Sequence, residues 1–117
     1  MWYKRNMKTL KFRSHLVKEI QEGRKTVTWR LFDDKDLSLG DQLSLITWET
    51  RQRFAKAEIT KIREKKLGQI EETDFEGHEK YASLKDMLNH YREYYGDGVT
   101  EETLIKMIDF RVVRFLK

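Results

Sequence analysis

The chain has no cysteine and no proline, and only 6 of its 117 residues are glycine. The first absence excludes a disulfide framework, thiolate zinc sites and a cysteine nucleophile together. It is neutral about compartment, although an unstapled domain sits comfortably in a reducing cytoplasm, where this chain is expected. No apolar run approaches the roughly 18 residues of a membrane span, and no signal-peptide pattern opens the chain. The 3 histidines form no HxH or HExxH spacing, so no catalytic zinc is expected. A glycine-rich phosphate loop is missing too, Gly96-Asp97-Gly98 reading as a helix-to-strand turn. Nothing here calls for a metal or a cofactor.

What is present is a small core under a charged shell. The hydrophobic and charged fractions are both 38%, the latter well above the usual value of about 25%. Aromatic residues recur along the whole chain, which argues against disorder. The length fits one domain, 1–117, in which Met1 to Asn6 reads as a dispensable extension before Met7. Net charge is +4, a modest basic excess that suits an anionic partner without requiring one.

Hydrophobic periodicity divides the chain into elements. Lys8 to Phe12 alternates as a strand, and Ser14 caps a helix that carries Leu16, Val17 and Ile20 and stops at Gly23. Lys25 to Leu31 has period two, with Val27, Trp29 and Leu31 on one side and Thr26, Thr28 and Arg30 on the other. Strands are expected over Gln42 to Glu49 and Phe54 to Arg63, joined by the basic link Thr50-Arg51-Gln52-Arg53; Lys65 to Glu72 is weak. The second helix starts at Ser83, with Asp86 three residues on, and ends at Gly96. Its stripe is Leu84, Met87, Leu88, Tyr91 and Tyr95. Leu104 to Phe115 reads as a long strand whose apolar phase slips twice, as bulges in a curled sheet would cause. The fold class expected is a mixed α/β domain on a small curled, mainly antiparallel β-barrel with two main helices.

Gly23-Arg24-Lys25-Thr26-Val27-Thr28-Trp29-Arg30, followed by Leu39-Gly40-Asp41, resembles the signature of the ASCH domain family, with Gly77-His78-Glu79 and the Ser83-led helix similar further on. The resemblance implies a PUA-like β-barrel with a cleft beside the first helix that binds RNA or a nucleotide. Some compact members are amidohydrolases of N(4)-acetylcytidine. The residues matching their working groups are Lys25, Thr28 and Glu79, with Glu76 competing for the carboxylate's place.

Deacylating an amide needs a base or nucleophile, a donor for the developing oxyanion and an acid for the leaving amine. Lys25, Thr28 and Glu79 are suited to these parts, provided that Lys25 lies at a corner, since strand positions three apart face opposite ways. The alternative is a solvated lysine and a β-forming threonine. Arg30 either anchors a phosphate or pairs with Asp33, Asp34 or Asp41. Trp29 is expected in the core, and Trp48 stacks on a base or covers a sheet edge. His15 and His90 are expected at the surface, and the hydroxyls of Tyr91, Tyr94 and Tyr95 with them; His78 beside Glu79 is the histidine of interest. Arg51, Arg53, Lys56, Lys61, Arg63, Lys65 and Lys66 form either a stripe that tracks a nucleic-acid backbone or a mixed-charge face. Three readings stay open: an RNA or nucleotide binder using Lys25, Arg30, Trp48, Arg51, Arg53 and Lys56; an amidohydrolase; and a protein-interaction domain.

Overall fold

The computed structural model describes residues 7–32 and 35–116, so the extension Met1 to Asn6 and the pair Asp33-Asp34 lie outside the described residues. Strand β1 (Met7–Phe12) leads into helix α1 (Ser14–Gln21), followed by β2 (Val27–Leu31), β3 (Gln42–Thr47) and β4 (Arg53–Lys66). Two 3₁₀ turns, Leu67–Gln69 and Glu72–Phe75, precede α2 (Leu84–Tyr95) and the last strand, β5 (Leu104–Phe115). The strands form a 5-stranded sheet in the order β1-β3-β4-β5-β2. Every pairing is antiparallel except that of β1 with β3. The chain is therefore mixed α/β with a curled, mostly antiparallel sheet, and the curl is a half-barrel: β1 and β2 are its two edges. Among the described residues no helix is long and apolar enough to cross a membrane.

The curl comes from extra residues in the long strands. Thr60 is unmatched between the pairs Ile59–Phe110 and Lys61–Asp109, and Val113 between Lys56–Arg114 and Ala57–Val112. Each bulge bends its strand and raises the local twist. The second phase slip read in β5 coincides with the Val113 bulge. The first, from Met107 to Ile108, has another cause: Ile105, Met107 and Ile108 are all fully buried, because the sheet is covered on both faces there.

Two apolar clusters occupy those faces. Leu10, Leu43, Leu45, Ala57, Ile59 and Phe110 pack with Val17 and Ile20 of α1. Val27, Trp29, Leu31, Ile105 and Met107 pack with Met87, Leu88 and Tyr91 of α2. Burying a side chain of the size of Leu45 or Ile59 contributes about 1.5–3 kcal/mol.

The helix ends are partly as expected. Ser83 Oγ accepts from the Asp86 amide at 3.1 Å, and Gly96 stops α2 at φ +96°. Ser14, however, is the first residue of α1 and not its cap. The Glu49 carboxylate takes that part, accepting from Ser14 N at 2.9 Å and Ser14 Oγ at 3.2 Å. A carboxylate there satisfies free amides and meets the positive end of the helix dipole.

Candidate active site

The half-barrel leaves its two edge strands without a common ladder, and a cleft of about 660 Å³ opens along this seam. Thr9, Lys11 and Phe12 of β1 stand on one side, Thr28, Trp29 and Arg30 of β2 on the other. Arg13 and His15 at the start of α1, Trp48, and Tyr91 and Tyr94 of α2 complete the wall. A smaller hollow of about 290 Å³ is lined by Leu10, Leu31, Phe32, Leu37 and Tyr95 together with the cations of Arg30 and Lys35.

Lys25 enters this cleft because the chain turns a corner before β2 begins. The amides of Arg24 and Lys25 both donate to Glu19 O, at 2.9 and 3.1 Å, which holds the exit of α1 in a tight loop through Gly23 at φ +81°. Lys25 is thus outside the strand's alternation, and β2 starts at Val27, not at Lys25. Its Nζ donates to Val27 O at 2.7 Å and to Glu79 Oε2 at 2.6 Å.

Glu79 reaches the cleft from a strap that docks on the edge of β2. Gly77 O accepts from the amides of Thr26 and Val27, at 2.9 and 3.2 Å, which ties the strap to the start of β2. Gly77 has φ +76°, and a Cβ there would collide with Thr26 Oγ1. Upstream the strap is pinned by Asp74, which is buried and accepts from Arg63 at 2.9 Å, Lys65 at 2.7 Å and the Glu71 amide at 2.8 Å. His78 lies between strap and sheet, its ring stacked on Trp29 with centroids 3.9 Å apart. Its Nδ1 lies 2.8 Å from Glu79 O, a carbonyl that can only accept, so Nδ1 carries the hydrogen.

The charges respond to this packing. The Lys25 side chain is 3% exposed and that of Glu79 34%. Burial lowers the Lys25 ammonium below its usual range, and the Glu79 charge offsets part of that effect. Burial alone would raise Glu79, but the Lys25 charge beside it and the hydrogen bond from Nζ bring it below the ordinary carboxylate range. Burial and the nearby Lys25 charge hold His78 down at about 4, so it is neutral near pH 7. Burial pushes the Tyr81 phenol up to about 12 and raises Tyr91 as well, so both keep their hydrogens.

Lys25, Thr28 and Glu79 line the one cleft, as do Arg30 and Trp48. Thr28 is buried in register with Ile108. Arg30 lies over the Phe12 ring at 5.3 Å and donates to Lys11 O at 3.4 Å across the seam. Asp41, one of its expected partners, instead pairs with Lys8 at 2.7 Å. Trp48 is half-exposed, with the cations of Lys11, Arg13 and Arg51 4.9–5.3 Å from its ring.

Glu76, the competing carboxylate, is exposed at the end of the second 3₁₀ turn and does not line the cleft. Arg53 and Lys56 lie on β4, away from it. The rest of the basic stripe is largely neutralised: Arg63 and Lys65 by Asp74, Lys66 by Glu102 at 2.8 Å.

Sequence reasoning missed the aromatic wall. His90 is half-buried and packs against Tyr81, Tyr91 and Tyr94, each 5.2 Å away, instead of lying free at the surface. The Tyr91 hydroxyl is 3.5 Å from that of Tyr81, inside the site. The spacing of His90 with Tyr94 at i, i+4 on α2 was the available signal.

No family model matches the chain, and no curated protein matches it significantly. Solved structures do. A DUF984 family protein from Enterococcus faecalis superposes with a TM-score of 0.74 at 18% identity, over 88% of this chain and 72% of its own. An ASCH domain from Lactobacillus crispatus gives 0.71 at 17%, over 94% and 80%. ASCH from Zymomonas mobilis gives 0.66 at 14%, over 96% and 74%. The chain therefore has the fold of ASCH domains, a curled, mostly antiparallel sheet.

Proposed function

We propose that the chain is a metal-independent amidohydrolase that removes the acyl group from an N(4)-acylated cytosine nucleoside. The observation that carries this reading is the Lys25–Glu79 pair, in contact at 2.6 Å in the seam cleft that Thr28 also lines. It is supported by the match of Lys25, Thr28 and Glu79 to the working residues of the compact amidohydrolases that the motif resembles.

The parts divide as follows. Lys25 spends two of its three ammonium hydrogens on Val27 O and Glu79 Oε2, which leaves one for a substrate oxygen. The Glu79 carboxylate takes a proton from a water as the water oxygen bonds to the acyl carbon. The resulting oxyanion is met by the remaining Lys25 hydrogen and by the Thr28 hydroxyl, donors fixed in place before charge develops. The bond between the acyl carbon and the exocyclic nitrogen then breaks. Glu79 returns its proton to that nitrogen, giving the free amine and a carboxylic acid. The aromatic wall of Tyr81, His90, Tyr91 and Tyr94 suits a pyrimidine ring.

An RNA partner is favoured by a different observation: Trp48 stands at the cleft wall among Lys11, Arg13 and Arg51, an aromatic platform framed by cations. It would seat the strand that presents the modified base. The test is incubation with N(4)-acetylcytidine and chromatographic detection of cytidine. Wild type should release it, and Lys25→Ala and Glu79→Ala should each be slower by at least about a hundredfold. Absence of release by folded wild-type protein contradicts the hydrolase reading.

A further inference from the structure

His78 has no assigned part in the scheme above, yet it lies against its centre. The Nδ1 hydrogen bonds to Glu79 O, so Nε2 carries a bare lone pair. Nε2 is 3.9 Å from Glu79 Oε1. Oε1 is the oxygen that Lys25 leaves untouched, since Nζ bonds to Oε2. Two acceptors therefore face each other in a cleft wall with no hydrogen between them. At 3.9 Å they are too far apart for a direct hydrogen bond, which acceptor pairs cannot form in any case. Two acceptors that share one water, each at about 2.8 Å from it, stand roughly 4–4.5 Å apart, slightly more than the 3.9 Å here, a difference that a small turn of the one-third-exposed Glu79 carboxylate supplies. The ring cannot swing away, because it is stacked on Trp29 at 3.9 Å and 14° and its side chain is 3% exposed.

We infer that His78 is a catalytic residue that holds the hydrolytic water, with Nε2 and Glu79 Oε1 each accepting one of its hydrogens. A water bound this way has both hydrogens committed and a lone pair free to meet the acyl carbon. Glu79 removes one hydrogen, and His78 keeps the other in place, so the imidazole orients the nucleophile without being protonated. Its neutrality near pH 7 is consistent with this, since a protonated ring would offer a donor where an acceptor is required.

The inference rests on the hydrolase reading and is tested apart from it by steady-state kinetics on N(4)-acetylcytidine. His78→Met keeps an apolar side chain over Trp29 and removes the acceptor; His78→Gln places an amide oxygen near the position of Nε2. The expected result is a fall in kcat of at least about thirtyfold for His78→Met, with KM within about twofold, and recovery to within about fivefold of wild type for His78→Gln. Circular dichroism and denaturant midpoints show that the variants are folded at the assay temperature. The inference is overturned if His78→Met retains kcat, if its loss lies in KM, or if His78→Gln is as slow as His78→Met. Lack of turnover by wild type overturns the hydrolase reading itself, and this inference with it.

Discussion

Glu79→Gln and Lys25→Met break the same ion pair but should not cost the same. The Lys25 side chain is 3% exposed and that of Glu79 34%. Removing the negative charge leaves a buried ammonium with only neutral acceptors, the amide oxygen of the new side chain and Val27 O at 2.7 Å. Breaking a buried pair in this way costs about 3–5 kcal/mol, and cleft water replacing Glu79 pulls the value toward about 2–3 kcal/mol. Removing the lysine leaves a carboxylate that is one-third exposed and rehydrates, together with a Val27 carbonyl short of one donor, at about 1 kcal/mol. The double variant should recover most of the loss of Glu79→Gln. The pH dependence carries a second sign. With the Glu79 charge gone, burial depresses Lys25 further below the ordinary lysine range. Between the folded and unfolded pKa values the unfolded chain then binds more protons, so stability of Glu79→Gln rises with pH through that window. Urea denaturation followed by circular dichroism at pH 7 and at higher pH reads both effects. Lys25→Met being as destabilising as Glu79→Gln, or flat pH dependence in Glu79→Gln, would refute the reasoning.

The His78 contribution to wild-type stability should be level above about pH 6.5 and fall as pH drops from there to about 4, because the unfolded chain protonates His78 in that window and the folded one does not. The fall is about 3 kcal/mol by the linkage of pKa to free energy, and His78→Met should abolish that part of it in acid titration of the unfolding free energy. Gly77→Ala combines a left-handed φ of +76° with a collision at Thr26 Oγ1. It should cost at least about 1–3 kcal/mol in urea melts and lower turnover by moving Glu79; an unchanged melt would contradict the docking of the strap. Arg53→Glu with Lys56→Glu lies outside the cleft, so nucleoside hydrolysis should be unchanged, while any RNA affinity should depend steeply on salt; a loss of hydrolysis would place the site on the hairpin instead.

Much of this was legible in the chain. Alternation at Val27, Trp29 and Leu31 and the helical stripe at Met87, Leu88 and Tyr91 identified both sides of one core cluster. Gly23 announced the corner that frees Lys25 from the strand's alternation. What was not legible depends on contacts far apart in sequence. Glu49 caps a helix 35 residues earlier, and Asp74 collects two cations from β4 that read locally as a nucleic-acid stripe. His90 looked polar and superficial because its partner Tyr81 comes from the strap and not from its own helix. The positions of Glu76 and Glu79 likewise depend on the strap: its dock on β2 through Gly77 O brings Glu79 to Lys25 and leaves Glu76 exposed.

The central claim is that the seam cleft, and not the hairpin, receives the pyrimidine. Titration of isotopically labelled protein with cytidine, the product that the proposed reaction would leave in the site, tests it most directly by the positions of the amide and side-chain resonances. Saturable shifts should fall on Lys25, Thr28, Trp29, His78, Glu79 and Tyr91, and Arg53 and Lys56 should be unmoved. Shifts confined to Arg53, Lys56 and their neighbours on β4, or no saturable shift at the cleft at millimolar cytidine, would contradict the account.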